Sequence, residues 1–234
     1  MKQVALLCIA ILLLFSSCDY TTGSGNIVTE KRTVGHFTEL TVSNAFDVEI
    51  KIGPVEEVTI EADDNLLKYI KTGVSGNTLN IHTEHLHNLS NGHLKVYITM
   101  PEIKKIIASA AAEVKVLDLV KGTGTLNFNV SSSADIEAEV DAPEIVAGAS
   151  SAGSIKLRGK TKNYKAEASS GADIKTGDLL AENTDVSVSS GASADVYASV
   201  SLVAAASSGG DINYHGAASV KQSTSSGGSV NKRD

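Results

Sequence analysis

Apolar and polar residues alternate along most of this chain with a period of two. Leu126, Phe128 and Val130 run into a small-residue stretch, and Ile136, Ala138 and Val140 run out of it. Val186 and Val188, then Val196, Ala198 and Val200, repeat the arrangement further on. Such alternation predicts short half-buried strands, and no segment here offers a ten-residue helical stripe. The stretches between strands are copies of one cassette of Ser, Ala and Gly that closes on Asp or Ser and an aliphatic residue. Copies begin at Ser131, Ser150, Ser169, Ser189, Ser207 and Ser225, and a looser one begins at Ser109. Their closing aliphatics fall at Val114, Ile136, Ile155, Ile174, Val196, Ile212 and Val230, at intervals of 22, 19, 19, 22, 16 and 18. A period near twenty made of strands and tight turns predicts a stacked solenoid. We expect an all-β chain forming a three-sided parallel β-helix. An antiparallel sandwich is the alternative, although it would not need the same cassette at every turn.

The first third is β-rich but less regular. Phe37 to Val42 and Phe46 to Ile52 alternate, and Ser43 to Phe46 occupies the place of a cassette, as in a first coil set apart by an insertion. The insertion spans about Gly53 to Gly92. Val55 to Ala62 reads as a strand, Asp63-Asp64-Asn65 as a helix N-cap, and Leu66, Leu67 and Ile70 as one face of a short helix. Gly76-Asn77 reads as a hairpin turn into a strand from Leu79 to His82. Leu94 to Met100 is a further strand, stopped by Pro101. This block is expected to cover one end of the stack.

Composition narrows the picture. Aromatics are 4% of the chain and there is no Trp, so the core must be thin and aliphatic. Gly suits a turn with positive φ, and large side chains would force stacked coils apart. The formal charge of −7 excludes duplex nucleic acid as an expected partner. The N-terminus carries Lys2 and then an apolar run from Val4 to Phe15, short for a membrane span and long enough for a signal peptide. It ends in Leu14-Phe15-Ser16-Ser17-Cys18, which resembles a bacterial lipobox with Cys18 as the lipidated residue. Cys8 would leave with the signal peptide, so the mature chain would hold no disulfide and no thiolate metal site. The expected organisation is a signal peptide over 1–17, a lipidated tether over 18–25, a β-rich region with its insertion over 26–102, and the repeats over 103–234.

Certain segments together resemble a known family. They are Gly23 to Val28, Phe37 to Ile50, Leu94 to Ile103, and the Ser-Ser-Gly-Ala-Asp-Ile repeats, in that order. They are similar to the auto-transporter adhesin "head GIN" domain family, exported proteins of Bacteroidetes, over about residues 24 to 230. The resemblance implies a right-handed, three-sided β-helix, a role in adhesion, and no agreed catalytic residues.

Candidate chemistry is sparse. Glu113, Asp135, Asp173, Asp195 and Asp211 are expected to share one register as a carboxylate ladder, flanked by Lys115, Lys156 and Lys175 and interrupted at Ser154 and Ser229. Carboxylates stacked ~4.8 Å apart in water would repel by about 1 kcal/mol each, tolerable when exposed and eased by a bound cation. The competing reading is a solvated edge that discourages aggregation. His82, His85 and His87, with His93 nearby, form a weak metal motif of no standard catalytic spacing. Tyr164, Tyr197 and Tyr214 are candidate sugar contacts. No Gly-x-Ser-x-Gly elbow, phosphate loop or dinucleotide fingerprint occurs. The expectation is a non-enzymatic lipoprotein of the cell envelope and outer membrane, periplasmic or surface-facing, with no cofactor. Its partners would be the membrane and a surface glycan or protein, with self-association through coil ends as a further option. A glycan-binding or glycan-processing accessory protein is the alternative.

Overall fold

A computed structural model describes residues 19–84, 87–90 and 92–233. The repeats form a β-solenoid of about seven turns. Each turn has a lead-in strand, a tight corner and a lead-out strand. The lead-in strands Glu39–Val42, Lys105–Ala108 and Thr125–Val130 stack in parallel. The later parts of Asp135–Ala149, Ser154–Ala168 and Leu179–Val188 continue that ladder, followed by Ser201–Ala206 and Ser219–Thr224. Lead-out strands stack alongside, from Asp47–Ile52 through Glu113–Val116 to Ser229–Lys232. Asp135–Ala149 and Ser154–Ala168 each run unbroken through a lead-out side and the next lead-in side, where alternation alone suggests separate strands. Gly159, at φ 122°, lies where adjacent turns close up; a Cβ there would sit 2.0 Å from the Val140 carbonyl oxygen.

The alternation becomes stacked columns of side chains. Val48, Val114, Ile136, Ile155, Ile174, Ala194, Ile212 and Val230 share one inward register. Ala194, not Val196, therefore belongs to the repeat, and the intervals from Val114 become 22, 19, 19, 20, 18 and 18. The fourth serine cassette carries two extra residues before its Asp, and the alternation absorbs them as strand. The inward column Leu40, Ile106, Phe128, Ala147, Ala166 and Val186 shows why the core is thin: bulk sits in the early turns and alanine takes over later. In the last turn Gln222 and Thr224 take the inward places held one turn earlier by Ala204 and Ala206.

The corners explain the cassette. Each pairs two consecutive residues of positive φ, as in Ser151 and Ala152 (50° and 60°) or Ser170 and Gly171 (54° and 70°). A bond from the fourth residue's N–H back to the first residue's carbonyl closes the turn, as in Gly153 to Ser150 (3.0 Å) and Ala172 to Ser169 (3.2 Å). This is the type I′ pattern, whose twist suits the flanking strands. The third residue's N–H donates to the second residue of the next corner, as Ala152 does to Ser170 and Gly171 to Ser190 (both 3.1 Å). The backbone thus satisfies itself from turn to turn, and the serine hydroxyls are not needed for it.

Ser43 to Phe46 is indeed the first corner: Asn44 and Ala45 have positive φ, and the Ala45 N–H donates to the Ala110 carbonyl. Hydrogen bonding crosses residue 103 without a break, because Lys105–Ala108 pairs with both Glu39–Val42 and Thr125–Val130. The insertion covers this end of the stack. Thr78–Thr83 and Leu94–Met100 add parallel strands to the first coil, and Glu57–Asp63 and Ile27–Arg32 extend the sheet antiparallel. Ile70–Ser75 and Thr78–Thr83 form the expected hairpin. The expected helix is a single 3-10 turn, Leu67–Tyr69, with no side-chain cap.

Candidate functional site

Asp63, Asp64 and Asn65 do not cap that turn; they grip the segment that enters the fold. The Asp63 carboxylate, almost fully buried, accepts the N–H groups of Gly25 (2.6 Å) and His93 (2.8 Å). Asp64 accepts the Ser24 hydroxyl (2.6 Å) and the Asn26 amide (2.8 Å), and these bonds hold its carboxyl below the ordinary carboxylate range. Asn65 accepts the Ser24 N–H (3.0 Å) and donates to the Thr22 carbonyl (2.8 Å). A Cβ on Gly23 would fall 2.5 Å from the Asp63 carboxylate, so glycine is what lets the segment lie this close. The clamp fixes the exit point of whatever precedes residue 22.

The carboxylate ladder exists in a different form. Glu113, Asp135, Ser154, Asp173, Ser193, Asp211 and Ser229 share one outward register. Asp195 is not in it: it stands two residues further along its strand, level with Lys175. Ser154 and Ser229 alternate with the carboxylates rather than interrupting them. From Asp135 onward the acids lie two rungs apart, ~9.6 Å, which roughly halves their mutual repulsion. The Ser193 hydroxyl donates to Asp173 (2.5 Å) and the Ser229 hydroxyl to Asp211. Partial burial works to raise the Asp173 pKa, but the Lys175 ammonium at 2.7 Å and the Ser193 hydroxyl outweigh it and hold the carboxyl below its usual value.

Further out on the same face, Lys156, Arg158 and Lys160 pair with Glu137, Glu139 and Asp141 one turn below, at 3.1, 3.0 and 3.2 Å. These exposed pairs contribute little stability each, but they favour the correct register between turns. Asp195 meets His215 Nε2 at 3.0 Å, close against Gly177, where a Cβ would approach the Asp195 carboxylate to 2.5 Å. Along the corner edge runs a groove of about 640 Å³, lined at each turn by the first cassette serine, from Ser131 through Ser169 to Ser225.

The remaining candidates separate. Tyr164 is buried and is not a surface contact; burial pushes its phenol pKa up, with the neighbouring Thr176 only partly opposing. Tyr214 shares the inward register of Val196 and packs half-buried against the core. Tyr197 points outward and is half-buried. The histidines are not assembled by the described residues: His82 lies on Thr78–Thr83 opposite Lys71, His85 and the His87 side chain fall outside the description, and His93 bonds Glu61 (2.7 Å). Cys18 and the apolar run before it also lie outside the described residues. Among the described residues no helix is long and apolar enough to cross a membrane.

Sequence reasoning passed over Tyr97. It is the outward residue of Leu94–Met100, 36% exposed between buried Val96 and Ile98, and the alternation alone would have placed it there. Lys95 Nζ lies 5.3 Å from the centre of its ring. Glu49 at 2.8 Å and Asp47 at 3.4 Å bond that ammonium and raise its pKa well above the ordinary lysine value. Beside Tyr97 opens a cleft of about 410 Å³ lined by Lys31, Glu49, Lys51, Glu57 and Thr99 among others.

Known proteins share this arrangement. A solved structure from Bacteroides fragilis, described as a putative adhesin, superposes with a TM-score of 0.82 at 19% identity, covering 91% of this chain and 98% of that one. One from Parabacteroides merdae, also described as a putative adhesin, gives 0.76 at 19% identity, covering 92% and 100%. One from Parabacteroides distasonis, described as a putative lipid binding protein, gives 0.76 at 21% identity, covering 92% and 100%. These likenesses establish the shared fold. No curated protein sequence matches the chain. Residues 36–218, from just before the first corner to just past the strand Asp211–His215, match the family described as "Putative auto-transporter adhesin, head GIN domain". The chain belongs to that family.

Proposed function

We propose that this chain is an exported, lipid-anchored protein of the cell envelope that acts by adhesion, without catalysis. The observation that carries the reading is the outward flank of the solenoid. It repeats one corner and one outward register at every turn, giving an extended surface of the kind that solenoids use for contact. Family membership supports adhesion as the mode of action. Cys18 would carry the lipid in the outer membrane, and the clamp at Asp63 to Asn65 would hold the tether where it meets the fold. A non-catalytic role is supported by the ladder: acid–base chemistry needs two carboxylates in contrasting settings, whereas Asp173 and Asp211 each sit beside a serine hydroxyl.

The test is a strain carrying Cys18→Ser. The chain should leave the membrane fraction, and the attachment of cells to a glycan- or protein-coated surface should fall to the level of a deletion strain. Full membrane retention would remove the anchor from this account, and unchanged attachment in the deletion strain would remove adhesion.

A further inference from the structure

The cleft beside Tyr97 has the parts of a ligand site. Four strands build its floor: Tyr97 is level with Glu49 on one side and with Thr59 on the other, and Thr59 is level with Lys31. The next row holds Lys51, Thr99 and Glu57. Its volume of about 410 Å³ falls within the range of small-molecule sites, roughly 300–1,000 Å³. Lys95 takes one side of the Tyr97 ring but does not line the cleft, so the ring forms a wall between them.

The charges are not equivalent. Glu49 is held by Lys95 at 2.8 Å, and Glu57 by Lys31 at 2.7 Å. Among the described residues, Lys51 has no carboxylate within 4.0 Å of its ammonium. The cleft therefore offers one aromatic wall, the Thr99 hydroxyl, the Thr59 hydroxyl already turned to Glu57 (3.5 Å), and, in a lining of two lysines and two glutamates, one ammonium that no described carboxylate pairs. An aromatic ring beside polar groups suits a sugar, whose C–H face packs on the ring while its hydroxyls find donors and acceptors. The free ammonium adds a preference for an anionic group.

We propose that this cleft binds a pyranose bearing a carboxylate, with the sugar ring against Tyr97 and the carboxylate on Lys51. The proposal is independent of the groove and the ladder, and it goes beyond adhesion by naming a ligand class. It can be tested on the purified full-length chain in detergent, so that sugar binding and cell attachment fail separately. Glucuronate, glucose and glutarate are titrated while the Tyr97 ring protons are followed by NMR. Glucuronate should bind saturably and shift those protons, and glucose and glutarate should each bind about tenfold more weakly. Tyr97→Ala should weaken glucuronate by about tenfold and Tyr97→Phe should not. Lys51→Gln, an exposed change, should bring glucuronate down to the level of glucose even if Tyr97→Ala fails to fold. Equal binding of glucose or glutarate, indifference to Lys51→Gln, or no saturable binding of glucuronate would overturn the proposal.

Discussion

Asp64 shows how a single side chain can be assigned a role that its surroundings in the sequence do not suggest. An Asp-Asp-Asn run before Leu66 and Leu67 has the local form of a helix cap, yet its partners lie about forty positions earlier, at Ser24 and Asn26. Long-range pairing of that kind leaves no periodic trace. The pKa of Asp64 is depressed in the fold, so its contribution is present above the unfolded value of about 3.9 and is lost as pH falls through the lower folded value. Protection of the Ser24 and Asn26 amides, measured against their intrinsic exchange rates, should therefore fall on acidification below about pH 4. Asp64→Asn should exchange fast already at neutral pH and lose that acid step; an unchanged acid step would assign it to another group. Asp195 gives the complementary lesson. Its neighbours in sequence match the other cassettes, but two additional residues move it one outward position along the strand, from the ladder to the side of His215. Tyr97 is legible in the sequence, because alternation between Val96 and Ile98 puts it outside, but it lies in the β-rich region ahead of the repeats and not in them.

The corner is the element that the sequence announces most clearly, through its period and its small residues. Its geometry was less legible. Glycine indicates positive φ at Gly171, Gly191, Gly209 and Gly227, but the serine before each also adopts it, as at Ser170 (54°) and Ser190 (54°). A residue with a Cβ bears a steric cost of roughly 1–2 kcal/mol there, and β-branched residues fare worst. Replacing Ser170 with Val should lower unfolding stability by roughly 1–2 kcal/mol in denaturant titration, with Ser170→Gly near neutral. Equal effects from the two changes would mean that the serine hydroxyl, not the backbone, matters at this position. The last turn was legible only in part. Its alternation is that of a strand, but its inward-register positions are polar and exposed, at Gln222 and Thr224.

For the whole molecule, periodicity was enough to indicate a solenoid, because each turn repeats the same inward column and the same corner. What it could not indicate was how the insertion joins the stack. Strands Thr78–Thr83 and Leu94–Met100 pair with the first coil through contacts that alternation does not encode, and they turn a separate-looking block into part of one sheet. Function depends on where this rod is displayed, since adhesion requires its flank to face outward. Protease shaving of intact cells, with immunoblots of this chain and of a periplasmic control, addresses that most directly. If the flank is displayed for adhesion, the chain is digested while the control survives. Survival of the chain on intact cells, with digestion only after the outer membrane is opened, would contradict that display.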